Sequence, residues 1–315
     1  MREKITQYLK RKDVIAAMIV LFAAGAYFFP GNSDTWNLPD VNSIKEPDAS
    51  EIAYGKMLIS QTSQIIGPNV KDTAMRFSGN HMACTNCHID DGQKKRTLCL
   101  VGAFYRYPRN DARRNGTETL EDRINGCLER SMNGRSMDNN SREMKAMVKY
   151  IKWMSSFVEK DINNIPKGLP DMPLLNRAAS PVKGKKIFLR KCIVCHANNG
   201  NGILNNHGDI TDGYSFPPLW GNDSFNNGAG LHRLIMCAKF IKFNMPFKNP
   251  NLRDDEAWDV AAYVNSMPRP QKSGLEADYP DRKKKPIDAP YPPYSDTFSV
   301  EIHKFGPFQQ LTEGK

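Results

Sequence analysis

A chain of 315 residues can bury one large core or two small ones, and two small domains is the better expectation. The hydrophobic share of 40% and charged share of 25% are those of an ordinary globular protein, which excludes a fibrous or low-complexity chain. Lys plus Arg exceeds Asp plus Glu by 44 to 34, a formal charge of +10, which favours acidic partners such as nucleic acid, an anionic membrane or small anions, or else serves solubility alone.

Arg2, Lys4, Lys10, Arg11 and Lys12 precede an uncharged stretch from Val14 to Phe29, and Ala24-Gly25-Ala26 offers a small-x-small cleavage site. Residues 1–30 therefore read as a secretory signal. The apolar stretch is short for a spanning helix, which needs about 20 residues. Tyr27, Phe28 and Phe29 could still extend it, so an uncleaved inner-membrane anchor is the second reading. Either way the bulk of the chain is expected outside the cytoplasm.

Next comes Tyr54-Gly55-Lys56-Met57-Leu58, the start of a short amphipathic helix, and then Cys84-Thr85-Asn86-Cys87-His88. The same order recurs with Gly184-Lys185-Lys186-Ile187-Phe188 and Cys192-Ile193-Val194-Cys195-His196. C-x-x-C-H is the pattern of covalent haem c attachment: each thiol adds across one vinyl group and the adjacent imidazole ligates the iron. A redox dithiol or a four-cysteine zinc site would explain neither the His after both pairs nor their separation. Two covalently bound haem c groups are thus expected, held by Cys84, Cys87, Cys192 and Cys195, with His88 and His196 as iron ligands.

Each attachment site is followed by Gly/Asn/Pro-rich loops and a closing helix. The first runs from about Ser141 to Val158, with Met144, Met147, Val148, Ile151 and Met154 or Ser155 on one face; the second spans about Asp254 to Met267, with Trp258, Ala261, Ala262 and Val264 inward. Residues 165–173 read as a linker. The fold class is mainly α: two cytochrome-c-like haem domains in tandem, at 47–164 and 177–270, plus an extended C-terminal tail at 271–315. The tail is Pro- and Lys-rich, but its Tyr and Phe content points to packing along the domains rather than disorder.

An iron held only by His is open to ligand chemistry, whereas a sixth protein ligand marks an electron carrier. In the second domain Met245, within Phe243-Asn244-Met245-Pro246-Phe247, is the expected distal ligand, with Lys239, Lys242 and Lys248 as alternatives. In the first domain spacing leaves three candidates. Counting from His88 gives Met137, counting back from Tyr150 gives Met132, and the third is Cys127, for which a disulfide with Cys99 or Cys237 is the competing reading.

The run Thr119-Leu120-Glu121-Asp122-Arg123-Ile124-Asn125-Gly126-Cys127 with Glu129-Arg130-Ser131-Met132-Asn133-Gly134, the Phe243–Pro246 segment, and the tail from Pro286 to Tyr291 and His303 to Phe308 together resemble the dihaem thiosulfate dehydrogenases. The resemblance implies His88 and Cys127 as ligands of the first iron, with Cys127 also reacting with substrate. It implies Arg113, Arg123 and Ser131 around the sulfonate groups, and His196 and Met245 on an electron-transfer haem. Some members carry Lys just before that Met and exchange ligands; this chain has Asn244 there. The implied reaction is oxidative coupling of two thiosulfate ions to tetrathionate, or its reverse. The implied partner is a small c-type cytochrome or another periplasmic electron acceptor or donor.

The charge pattern agrees with such substrates. Bringing two dianions to about 5 Å costs about 3 kcal/mol even at the dielectric of water. The first haem domain carries Arg96, Arg106, Arg109, Arg113, Arg114, Arg123, Arg130 and Arg135, whose planar forks suit sulfonates. Rival readings are a plain dihaem electron carrier, a sulfur-oxidation subunit that conjugates thiosulfate to a carrier protein, and a haem peroxidase using His81, His207, His232 or His303. A nucleic-acid role would leave both haems unexplained.

Overall fold

Two glycines set the architecture. The computed structural model describes residues 34–45, 47–158 and 168–312; the leader read at 1–30, the start of the 165–173 linker and the side chain of His207 lie outside them. In the first half, helix α1 (Ala49–Ser60) is followed by the antiparallel pair β1 (Arg109–Asp111) and β2 (Gly116–Glu118), then α2 (Leu120–Arg130) and α3 (Arg142–Ser155). In the second half come α4 (Pro181–Lys191), the irregular pair β3 (Ile203–Leu204) and β4 (Tyr214–Phe216), α5 (Leu234–Asn244) and α6 (Asp254–Ser266). A Cβ at Gly55 would collide with the carbonyl of Ala146, and one at Gly184 with that of Asp259. Only glycine lets α1 cross α3, and α4 cross α6, at backbone contact. The next turn of each closing helix supplies Tyr150 and Tyr263, so the two crossings repeat residue for residue.

Local chemistry sets the helix ends. Ser141 accepts from the Met144 amide, and Ser180 from that of Lys183 with Pro181 behind it. On α3 the expected Met144, Met147, Ile151, Met154 and Ser155 are buried, but Val148 is only half-buried, while Tyr150 and Trp153 join the core. The buried stripe is rotated towards α1 and the 103–106 turn, whose Phe104 amide donates to Ser155 Oγ at 3.2 Å. Helix α6 buries every residue from Ala257 to Asn265, because α4 and α5 flank it and Phe308 of the tail stacks near Trp258, 5.8 Å between ring centroids.

There is one core cluster in each half, but they are not insulated. Phe225 and Ala229, far along the second half, belong to the first core, and the described residues from Thr35 onward form one compact unit. The 271–312 segment packs at several points, with 295–299 exposed between them. Asp288 is fully buried and binds Arg233 and the Ile235 amide, α7 (Val300–Phe305) gives the Phe305 carbonyl to the Ala179 amide, and Phe308 lies in the second core. Among the described residues no helix is long and apolar enough to cross a membrane.

Candidate haem and substrate site

Helix α2 carries the reactive group of the first half. A reciprocal capping box starts it: the Thr119 amide donates to Asp122 Oδ2 at 3.1 Å and the Asp122 amide to Thr119 Oγ1 at 3.2 Å. Leu120, Asn125 and Leu128 face the core, which leaves Arg123 and Cys127, four residues apart, as neighbours on another face. His88 reaches this face from the first attachment segment. Its Nδ1 is engaged by the Leu98 carbonyl, which leaves Nε2 as the free ligating nitrogen. The Cys127 thiol stands in hydrogen-bonding contact with the His88 ring.

The electrostatics of this thiol are unusual. Burial pushes its pKa up, but Arg123, then the hydrogen bond and charge of His88, pull it down further, to about 7, against opposition from Glu118. Arg123 is held protonated first by Cys127, then, against burial, by Tyr107 and Glu118. Its side chain is exposed, so the guanidinium is open to solvent on the same helix face as Cys127. Burial drives the Cys84 and Cys87 thiols the other way, to about 11 and about 12. They lie within electrostatic reach of Cys127, and Thr62 Oγ1 sits 3.5 Å from Cys84 Sγ. All seven cysteines are free thiols, so Cys127 is not cross-linked to Cys99 or Cys237. Met132 and Met137 are buried in the first core, and Cys127 is the side chain set against His88.

Ser131 caps α2 one turn after Cys127, its amide donating to the Cys127 carbonyl at 2.8 Å. Arg113 stands apart in the β1–β2 turn. It donates to Tyr279 OH at 3.3 Å and to the Gly228 carbonyl at 3.4 Å, with Asp278 at 3.9 Å. Asp278 is the hub of this cluster: it takes both prongs of Arg130, at 2.8 and 2.9 Å, and the Tyr291 hydroxyl at 2.7 Å. Asn226 adds a grip, bonding the carbonyls of Glu129 and Arg130 at the C-terminal end of α2. The structure therefore brings together His88, Cys127, Arg123 and the two attachment thiols, with Ser131 nearby, and commits Arg113 to the tail. Glu118 and Tyr107, which flank Arg123, escaped the sequence reading. Glu118 shares its stretch with Asp111, Glu121 and Asp122, so nothing local in the sequence singles it out.

In the second half, His196 is buried and its Nδ1 meets the Pro217 carbonyl at 2.9 Å, again freeing Nε2. Burial lowers its pKa, which keeps the ring neutral as a ligand must be. Met245 caps the end of α5 against the second core. Phe216 spans the two segments, 6.4 Å from the His196 ring and 6.5 Å from that of Phe247. Lys239 is paired with Asp171 and Lys242 with Asp254, which commits two of the three alternatives to Met245 elsewhere, and the third, Lys248, lies over the Phe247 ring. Paired free thiols beside a histidine whose Nδ1 is fixed by a carbonyl are the donor set that haem c needs, and both halves have it.

These features define a c-type cytochrome with two such domains in tandem. A family described as SoxA/TsdA, cytochrome c domain, matches residues 75–158, and one described as Cytochrome c matches residues 181–268. The chain is 37% identical over 232 residues to a thiosulfate dehydrogenase of Stutzerimonas stutzeri, covering 73% of each chain. It is 32% identical over 275 residues to one of Psychrobacter arcticus, covering 86% of this chain and 80% of that one. Among solved structures, thiosulfate dehydrogenase (TsdBA) from Marichromatium purpuratum in its as-isolated form aligns with a TM-score of 0.67 and 30% identity, over 75% of this chain and 50% of that longer one. The chain belongs to the thiosulfate dehydrogenase family, and it is an oxidoreductase cytochrome.

Proposed function

We propose that this chain is a periplasmic dihaem enzyme that couples two thiosulfate ions to tetrathionate, or runs the reverse, with Cys127 as the reacting group. The observation that carries the reading is the Cys127 thiol set between His88 and Arg123, with its pKa lowered to about 7. A thiol that needed only to pack would be left with the raised pKa of Cys84 or Cys237. In this reading Cys84, Cys87, His88 and Cys127 hold one haem, and Cys192, Cys195, His196 and Met245 the other. Haem bound at each site would supply one-electron acceptance, with a small periplasmic redox protein as the final taker of the electrons.

The residues of the chain do the rest. Arg123 offers its fork to the sulfonate of the first thiosulfate and keeps the sulfur of Cys127 anionic. The Cys127 sulfur bonds the terminal sulfur of that thiosulfate with loss of two electrons, giving a cysteine S-thiosulfonate. The second thiosulfate attacks the same substrate sulfur, tetrathionate forms, and Cys127 leaves as the thiolate. Ser131, at the end of α2, completes the binding of the sulfonates, and Arg113 joins it only by giving up its contacts with Tyr279 and the Gly228 carbonyl. Purified holoprotein assayed with thiosulfate and ferricyanide, then with tetrathionate and a reduced viologen, tests the reaction. Turnover retained by Cys127→Gly would refute the role of this sulfur, and turnover only with a cysteine-bearing carrier protein would replace the reaction by conjugation.

A further inference from the structure

The two attachment segments differ in what lies outside them. The first is backed by the second half of the chain: Asn86 donates to the Tyr214 carbonyl at 3.2 Å, and Gln64 to Asp212 at 2.9 Å, so Thr85 and Asn86 are half-buried. The second faces outward. Val194 is 78% exposed and Ile193 37%, and both lie between Cys192 and Cys195. Helix α4 continues this surface. It buries Gly184, Ile187 and Phe188 against α6 and turns Val182, 71% exposed, and Leu189, 42% exposed, outward. Val182, Lys186 and Leu189 follow helical spacing along α4 and form one stripe, and Ile193 opens the short attachment turn just beyond its end.

The charges of this segment are of one sign. From Met172 to Gly208 the chain has no Asp or Glu. Arg177 is taken by Asp259 and Lys191 by Asn251, whereas Lys183, Lys185, Lys186 and Arg190 enter no ion pair among the described residues. α1 at the first site has nothing comparable: its Lys56 is paired with Asp91.

We infer that Ile193, Val194 and the outer face of α4 form the docking surface for an acidic electron-transfer protein. This rests on the reading above, in which the second haem is where electrons leave. The free cations select carboxylates and steer the encounter. The apolar stripe gives the small dry contact suited to a transient redox complex. A partner seated on Ile193 and Val194 also lies within a few bonds of the porphyrin, because the cysteines on either side are the ones that anchor it. An anionic membrane would answer the charge but gain nothing from that position. Each encounter moves one electron from the reduced second haem to the oxidised metal of the partner, with no proton or atom transferred, and two encounters clear the electrons of one tetrathionate.

The test uses holoprotein reduced with dithionite and mixed in stopped flow with an acidic c-type cytochrome, so that it does not depend on thiosulfate turnover. Reversing charge with Lys185→Glu, Lys186→Glu and Arg190→Glu together should lower the second-order rate at least about tenfold and abolish its decline with added salt. Val194→Ser should lower the rate less and keep the salt dependence. Oxidation by uncharged benzoquinone and haem content should stay at wild-type values in both variants. An unchanged rate with the acidic cytochrome, or an equal rate for a basic cytochrome c, would overturn the inference. So would loss of binding to phosphatidylglycerol vesicles with the cytochrome rate intact, which would assign the face to a membrane. Failure of wild-type protein to oxidise thiosulfate would instead overturn the functional reading and leave this test standing.

Discussion

The two halves share one helix crossing yet present their haem sites in opposite ways. At the first, the attachment segment is covered by the 212–216 loop, and a helix brings a thiol and a guanidinium to the histidine. At the second, the segment is bare and the matching helix ends in a methionine. The difference teaches how a carrier scaffold becomes an enzyme. Under the proposed function, chemistry on an anion needs a charged group fixed beside the reacting thiol, while electron exchange needs an accessible edge. Here the second domain does both jobs, by exposing its own attachment segment and closing over that of the first.

Substitutions can separate the two sites. Cys127→Gly should cut thiosulfate coupling by a factor on the order of 10⁴ or more, with both haems retained and oxidation of the second by benzoquinone unaltered. Asp278→Asn comes next. It removes the carboxylate shared by Arg130 and, at longer range, Arg113, both largely buried, and breaking such a pair costs about 3–5 kcal/mol, readable by guanidinium unfolding. Arg123→Gln should raise KM for thiosulfate about 100-fold, through loss of a charge-assisted fork, and leave electron transfer at the second site untouched. Gly55→Ala and Gly184→Ala should each cost about 1–3 kcal/mol of stability, because the added methyl meets a backbone carbonyl that cannot yield. Similar losses at both positions would support the structural repeat, and a loss at one alone would break it.

The smallest effect concerns acid. Burial, then the charges of Arg269 and Lys304, lower the pKa of His232 to about 3. Between that value and the ordinary histidine pKa the unfolded chain binds more protons, so stability should rise with pH across roughly 3 to 6.5 and be lost on acidification. His232→Gln should flatten that slope in thermal melts taken from pH 4 to 7.

Some of this was legible before the structure. Attachment motifs are local and covalent, so Cys84 to His88 and Cys192 to His196 could be read directly, as could the Gly–Tyr repeat that frames them. Cys127 could not be chosen by spacing, for a physical reason. Met245 terminates its helix, whereas Cys127 lies inside one, a turn after Arg123, with the β1–β2 hairpin inserted before it. Counting in the register of the second domain therefore lands on Met132 or Met137, both of which are core. Val148 packs against the first core only at the edge of the buried stripe, because a hydrophobic period gives the width of such a stripe but not its direction. The Asp278 cluster was out of reach, since its contact with Arg130 spans 148 residues and carries no local signal.

The most direct test of the whole account is low-temperature electron paramagnetic resonance of the oxidised holoprotein beside its Cys127→Gly variant. The wild type should show one low-spin haem with the signature of a histidine–thiolate pair and one of histidine–methionine, and the variant should lose the first alone. Identical spectra from the two proteins would contradict the assignment of Cys127 to the first haem and, with it, the division of labour between the halves.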